Sequence, residues 1–303
     1  MKSLPLFFSG SSHFELAKEI CLELSIPLGA MDIGSFPDGE ISIEVLEEVR
    51  GRDVFILQSL SIDPNRFLME LLIISDALKR ACAKSITAII PYFGYSRQDR
   101  RHKSGVPITA KLVANLLSSA GIGHLVTFDL HSDQVEGFFE IPVTHLRTQD
   151  LLVNHVKNFL GENTVVVAPD IGSVKIAEKI ANRLKVELSI VKKERLNAFD
   201  VNMHLIGSVT HKNVLIVDDL CSTAGTLVSA AKLCQDLGAQ IIIAAISHGL
   251  FVNQSIEKID SSSLKFLLTT NTIPQKDTVS YSSKIQTVSI AKIIANTISQ
   301  TYL

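Results

Sequence analysis

Several familiar signatures are missing from this chain of 303 residues. Its four cysteines, Cys21, Cys82, Cys221 and Cys234, lie far apart and form no CxxC pair. That spacing offers no zinc site and no disulfide framework, and reads as reduced thiols in a cytoplasmic protein. Basic residues are not in excess: 29 Lys and Arg face 31 Asp and Glu, for a net charge of −2. A general nucleic-acid binder would carry a basic surplus, so no nucleic-acid partner is expected, although a local basic pocket for phosphates remains open. No stretch reaches the roughly 18 uninterrupted apolar residues of a membrane span. The segment Met1–Leu16 has a short apolar run but no long hydrophobic region before a small-residue cleavage site, so no membrane attachment is expected. GxxxxGK[ST] is absent, and a P-loop kinase is not expected. There is also no obvious internal repeat and no low-complexity linker.

What is present is globular: 46% hydrophobic and 20% charged residues, over a length that can bury the cores of two domains. Short β-branched runs read as buried strands at Val54–Leu57, Ile86–Ile90, Leu125–Phe128, Val165–Ala168, Leu188–Val191, Val214–Val217, Ile241–Ile246 and Phe266–Leu268. Helical spacing of apolar residues separates them. One such pattern runs through Phe14, Ala17, Ile20, Cys21 and Leu24, with Ser12-x-x-Glu15 reading as a capping box. Another follows Thr109, a third has Ser173 or Asp170 available near its start, and a fourth ends at Gly238. Strands alternating with helices imply crossover connections and mainly parallel sheets. So many strands suit two α/β halves of similar size, residues 1–146 and 147–303, with a seam after Phe138-Phe139 and Ile141-Pro142.

The strongest motif is Val214-Leu-Ile-Val217, then Asp218-Asp219, then Leu220-Cys221-Ser222-Thr223-Ala224-Gly225-Thr226 leading into a helix. Ligands of open α/β sheets bind beyond the carboxyl ends of strands. Small residues let a phosphate approach the backbone, three hydroxyls can donate to it, and a helix N-terminus favours an anion. Two adjacent carboxylates can accept from a vicinal diol or hold a cation beside it. The plainer reading is a helix N-cap with two solvated acids, which requires strand, acids, hydroxyls and glycine to coincide by chance.

This segment resembles the phosphoribosyl diphosphate loop shared by phosphoribosyltransferases and ribose-phosphate diphosphokinases, which identifies a sugar phosphate but not the reaction. Further stretches are similar to the diphosphokinase family and lie in its order. They are Phe36-Pro-Asp-Gly-Glu40, Pro91–Arg100, Phe128-Asp-Leu-His131 running on to Phe139, and Lys193-Glu-Arg195, together with Met69–Arg80 and Pro107–Lys111. The resemblance covers nearly the whole chain. It implies two phosphoribosyltransferase-like domains, each a mainly parallel sheet flanked by helices, and transfer of the diphosphoryl group of Mg-ATP to ribose 5-phosphate.

The resemblance also distributes roles. Phe36, Asp38, Gly39 and Glu40, by themselves a turn around Pro37, would help hold ATP across a subunit contact. Arg97 and Gln98 would bind ATP, at the start of a basic stretch (Arg100, Arg101, His102, Lys103) that reads as a mobile lid over polyphosphate, or on its own as a solvated surface. His131, otherwise a histidine satisfied by a nearby carboxylate, would join Asp170 in the Mg-ATP site at the domain interface. Mg²⁺, with ATP as co-substrate, is the implied cofactor. Lys193 and Arg195, otherwise surface charge, would stabilise the transition state, with Arg195 also on the sugar phosphate. Asp218, Asp219, Ser222, Thr223, Ala224, Gly225 and Thr226 would hold ribose 5-phosphate. Self-association as dimers that build a hexamer is implied as well.

Three positions depart from the family pattern: Ser222 stands where many members have Asp, Ser173 replaces a glycine, and the sequence ends at Thr301-Tyr-Leu303, short of many phosphate-activated members. The resemblance therefore does not carry allosteric control by phosphate or ADP. A phosphoribosyltransferase, or a non-catalytic homologue regulating a true synthase, stays open as an alternative.

Overall fold

A computed structural model describes residues 5–195, 201–275, 279 and 282–302, and for residues 194, 195, 201, 202, 301 and 302 the backbone alone. The chain forms two compact units. In the first, the order along the chain is β1 (Leu6–Ser9), α1 (Phe14–Leu24), β2 (Met31–Ser35), β3 (Ile41–Val45), β4 (Asp53–Leu57), α2 (Pro64–Arg80), β5 (Ser85–Ile90), α3 (Thr109–Ala120), β6 (His124–Phe128) and β7 (Val143–Leu146). The second holds α4 (Gln149–Val156), β8 (Thr164–Ala168), α5 (Val174–Leu184), β9 (Glu187–Arg195), β10 (Val201–Ile206), β11 (Asn213–Cys221), α6 (Gly225–Asp236), β12 (Ile241–Gly249), α7 (Ser255–Asp260), β13 (Phe266–Thr270) and β14 (Ile285–Val288). The chain then returns to the first unit as α8 (Ala291–Tyr302), which packs on α1.

The first unit's main sheet has the order β1-β4-β5-β6-β7, with every neighbouring pair parallel. Its central strands, β4, β5 and β6, read as mainly apolar runs because helices cover the sheet and leave little of their surface for water. Val54, Ile56, Ile86, Ala88, Ile90 and Leu125 are buried among Leu71, Ile74 and Leu78 of α2 and Val113 and Leu117 of α3. Each such aliphatic side chain contributes roughly 1.5–3 kcal/mol on leaving water. Beside this sheet, β2 and β3 pair as an antiparallel hairpin. The second unit's sheet runs β10-β9-β8-β11-β12-β13-β14, parallel throughout except for the β9–β10 pair.

The expected α/β class and the eight expected strands are present, but the sequence pattern understates the strands. β9 extends through Arg195 and β11 through Cys221. Polar residues interrupt the apolar pattern, Lys192–Arg195 in β9 and Asp218-Asp219 in β11, so hydrophobic pattern alone stops there, while the β11 ladder continues in Leu220↔His248 and Cys221↔Gly249. β1, the β2–β3 hairpin, β7, β10 and β14 were not expected; several are edge or hairpin strands with weak apolar runs. The capping box expected at Ser12 is corrected: helix α1 is preceded by His13 without a side-chain cap, and Ser12 Oγ instead accepts the Ser59 N–H at 2.7 Å. The loop after β1 is held from below by Glu70 of α2, fully buried, which accepts from the Ser11 N–H and hydroxyl (2.7 Å each) and from Gln58 Nε2 (2.8 Å).

The units also differ from a simple cut between residues 146 and 147. The first comprises Met1–Arg147, Thr272–Pro274 and Ser289–Leu303, and the second Thr148–Asn271 and Gln275–Val288. Contact between α8 and α1 draws the last segment back to the first sheet's helical layer. No sequence linker announces that return.

Candidate active site

The end of β11 is open on one side. Its pairing with β8 stops at Ile216↔Val167, while pairing with β12 continues to Cys221. Asp218 and Asp219 thus lie within the strand rather than beyond it, on the part that has outrun β8. Asp170 follows β8 by two residues and is near enough that its charge acts on Asp218. Burial raises the pKa of the Asp218 carboxyl well above the ordinary carboxylate range, reinforced by the charge of Asp219, a hydrogen bond with Asp219 and the charge of Asp170. Asp218 Oδ1 also accepts the Asp219 N–H at 2.9 Å, which acts the other way.

After Cys221 the chain turns sharply. Ala224 is buried with φ 60°, a left-handed conformation for a residue with a Cβ, and α6 starts at Gly225 with no side-chain cap. An uncapped N-terminus leaves first-turn N–H groups without an intrahelical partner and favours an anion there. Around it, Ser222 and Thr226 are half-buried and Thr223 is exposed. Lys193 reaches this point from β9: its Nζ donates to Thr226 Oγ1 at 3.0 Å. The structure therefore brings Lys193, Thr226, Asp218, Asp219 and Asp170 into one unit's strand-end cluster. Arg195 ends β9, opposite Val201 of β10, and its side chain lies outside the described atoms.

The Asp170–Ser173 turn answers the question raised by the serine. Ser173 N–H donates to Asp170 Oδ1 at 3.2 Å, and its hydroxyl donates to the Asp170 carbonyl at 3.0 Å. Ser173 is 3% exposed, so its side chain is folded into the turn rather than toward a ligand. Spacing Asp-x-x-Ser is the sequence signal for such a turn.

In the first unit, Phe36–Glu40 is the tip of the β2–β3 hairpin. Gly39 N–H donates to the Phe36 carbonyl (2.9 Å), Phe36 N–H to the Glu40 carbonyl (2.8 Å), and Glu40 N–H to Asp38 Oδ1 (3.2 Å). Phe36 is 54% exposed there. Arg97 and Gln98 are exposed, and residues 97–105 belong to no helix or strand. Gln98 is tied to α3 through the Thr109 hydroxyl and the Ala110 N–H. His131 is exposed just past β6.

Sequence reading missed the supports of the His131 segment. Ser132 Oγ donates to Asp99 Oδ2 at 2.7 Å, and Arg147 Nη2 donates to Asp133 Oδ1 at 2.6 Å. Only the Asp99 position, inside the basic stretch, gave any hint of this.

Among the described residues, no group of three or more His, Cys, Asp or Glu is arranged to hold a metal ion by itself. Nor is any helix among them long and apolar enough to cross a membrane.

Two mainly parallel sheets flanked by helices, one with acids and an uncapped helix N-terminus at its strand ends, define an α/β protein with a polar strand-end cluster. Comparison with known proteins gives the class a family. Residues 6–121 match the N-terminal domain of ribose phosphate pyrophosphokinase, and residues 197–302 match the phosphoribosyl synthetase-associated domain. A ribose-phosphate pyrophosphokinase of Chromobacterium violaceum is 44% identical over 296 residues, covering 97% of this chain and 90% of the relative. Ribose-phosphate pyrophosphokinase A of Dictyostelium discoideum is 43% identical, covering 97% and 93%. The crystal structure of phosphoribosylpyrophosphate synthetase from Mycobacterium smegmatis superimposes with a TM-score of 0.94 at 38% identity, covering 99% of each chain. The chain belongs to the ribose-phosphate pyrophosphokinase family.

Proposed function

We propose that this chain carries out its family's reaction, transfer of the β,γ-diphosphoryl group of ATP to the anomeric hydroxyl of ribose 5-phosphate, with the residues grouped at its strand ends. The observation that carries the allotment is the cluster of Asp218, Asp219, Ser222–Thr226 and Lys193 around the uncapped start of α6. The helix N-terminus and the three hydroxyls suit the 5-phosphate, and Asp218 and Asp219 suit the ribose hydroxyls. The anomeric oxygen attacks the β-phosphorus in line. The bond from that phosphorus to the α-phosphate's bridging oxygen breaks, AMP leaves with that oxygen, and the proton of the anomeric hydroxyl passes to solvent.

Such transfers are catalysed mainly by positioning and by neutralising charge on the moving group. Lys193 is allotted that role, already held at the phosphate loop by Thr226. Arg195 shares it, and also contacts the sugar phosphate. Arg97, Gln98, His131 and the hairpin tip Phe36, Asp38, Gly39 and Glu40 are allotted to ATP, with the basic residues after Arg97 as a lid. Burial, then the charges of Asp219 and Asp170, raise the pKa of Asp218, and a hard cation beside these carboxylates would offset that repulsion. Mg²⁺ commonly binds through one or two carboxylates, waters and substrate phosphates. When bound it neutralises phosphate charge; Asp170 and His131 are the residues allotted to it. Self-association as dimers that build a hexamer belongs to the same proposal. So does a cytoplasmic location, which the four free thiols favour.

The test is direct. Purified protein given Mg-ATP and ribose 5-phosphate, with no nucleobase present, is expected to form AMP and phosphoribosyl diphosphate in equal amounts. Absence of AMP, with and without inorganic phosphate, would overturn the assignment; product formation from a base and phosphoribosyl diphosphate alone would indicate a phosphoribosyltransferase instead.

A further inference from the structure

β6 ends at Phe128, and the exposed His131 follows between neighbours that are each held. Asp129 is buried at φ 32°, a conformation that a residue with a Cβ resists, and its Oδ1 lies 3.9 Å from Arg147 Nη1. The Leu130 N–H donates to His145 Nε2 at 2.9 Å. Ser132 is tied to Asp99, and Asp133 to Arg147, so both sides of His131 are pinned. Three of these pins come from β7 and the residue that follows it by one. The His145 side chain is 4% exposed, against 35% for Arg147.

An N–H donor requires a lone pair at His145 Nε2, which places the ring proton on Nδ1. That nitrogen faces Glu136 Oε2 at 3.4 Å. The charged groups facing the ring are thus Glu136, Asp129 and Arg147. A histidine serves this place because one edge accepts from a backbone amide while the other donates to a carboxylate that fixes the tautomer. A leucine would fill the space and leave the Leu130 N–H without its acceptor. A glutamine retains an acceptor at similar reach.

We infer that His145 is a positioning residue: by holding the Leu130 amide it fixes the strained turn that presents His131 to ATP. The inference rests on the allotment of His131 to ATP, but the contact itself is testable apart from it. In the full-length protein, H145L is expected to raise KM for ATP about tenfold and to leave KM for ribose 5-phosphate within about twofold. H145Q should recover most of that loss. Hydrogen exchange at the Leu130 amide should speed up in H145L and return toward the wild-type rate in H145Q.

Wild-type KM for ATP in H145L, or both KM values rising together without recovery in H145Q, would overturn the inference. Should H145L fail to fold, E136A gives a second reading, since it leaves Nε2 in place and frees the tautomer. It is expected to raise KM for ATP by a smaller factor, and no change would count against the proposal. Nitrogen NMR of the wild-type protein should find the His145 proton on Nδ1; a proton on Nε2 overturns the inference outright. A wild-type protein that makes no AMP sinks the functional reading instead, and the Leu130 exchange rates then still decide whether His145 holds the turn.

Discussion

Lys193 and Asp218 show how differently two charges near one loop behave. Lys193 is half-buried and bonded to the Thr226 hydroxyl, so its charge is directed at the start of α6. Replacing it with alanine should lower kcat by about 10²–10³ while leaving ribose 5-phosphate affinity nearly unchanged. Steady-state kinetics with equilibrium binding of the sugar phosphate checks this, and equal loss of both would reassign the residue to binding. Asp218, allotted to the ribose hydroxyls, is held at a cost to stability, because its burial beside Asp219 and Asp170 opposes ionisation. Its folded pKa is raised, so the favourable contribution of the protonated form is complete below the unfolded value of 3.8 and is lost as pH rises through the folded value. Asp218→Asn should therefore stabilise the protein at neutral pH, by on the order of 0.5–2 kcal/mol, while abolishing most activity. The gain should vanish on titration below about pH 3.8, which thermal melts across pH would register.

At the scale of elements, the β2–β3 hairpin shows what a turn sequence can state in advance. Phe36-Pro37-Asp38-Gly39 closes with a Gly39 N–H to Phe36 carbonyl bond, and Gly39 sits at φ 95° with open space where a Cβ would stand. Space is therefore not the obstacle; conformation is. Gly39→Ala should cost roughly 1–2 kcal/mol in unfolding free energy, measured by denaturant titration, because a Cβ resists that backbone conformation. A cost near zero would mean that the hairpin tip rearranges. Turn residues were legible because glycine and proline act locally. The β1 and β7 strands were not, since four-residue segments such as Val143–Leu146 acquire their strand character only from a neighbour already in the sheet.

Across the whole molecule, acid should weaken the fold well above the range where most carboxylates titrate. His124 and His145 both have pKa values lowered from 6.5, chiefly by burial, and His145 further by Arg147. A depressed folded value means that their contribution is present above about pH 6.5 and is lost as pH falls toward the folded values, because only the unfolded chain takes up the protons readily. A fall in melting temperature beginning near pH 6.5 is expected, and H145Q should remove part of it. A flat profile between pH 7 and 5 would contradict it.

The sequence by itself determined the α/β class, the central parallel strands and the strand-acid-hydroxyl motif of Val214–Thr226, because each depends on local periodicity or on residues adjacent in the chain. Family resemblance added the order of the remaining motifs. Only the tertiary structure decided that Asp218 and Asp219 lie inside an overrunning strand, that Ser173 turns inward, and that α8 returns to the first unit. It alone revealed that His145 holds the Leu130 amide. These features join residues far apart in the chain through burial, ladder register and hydrogen bonding, and none of those leaves a periodic trace in the residues that take part.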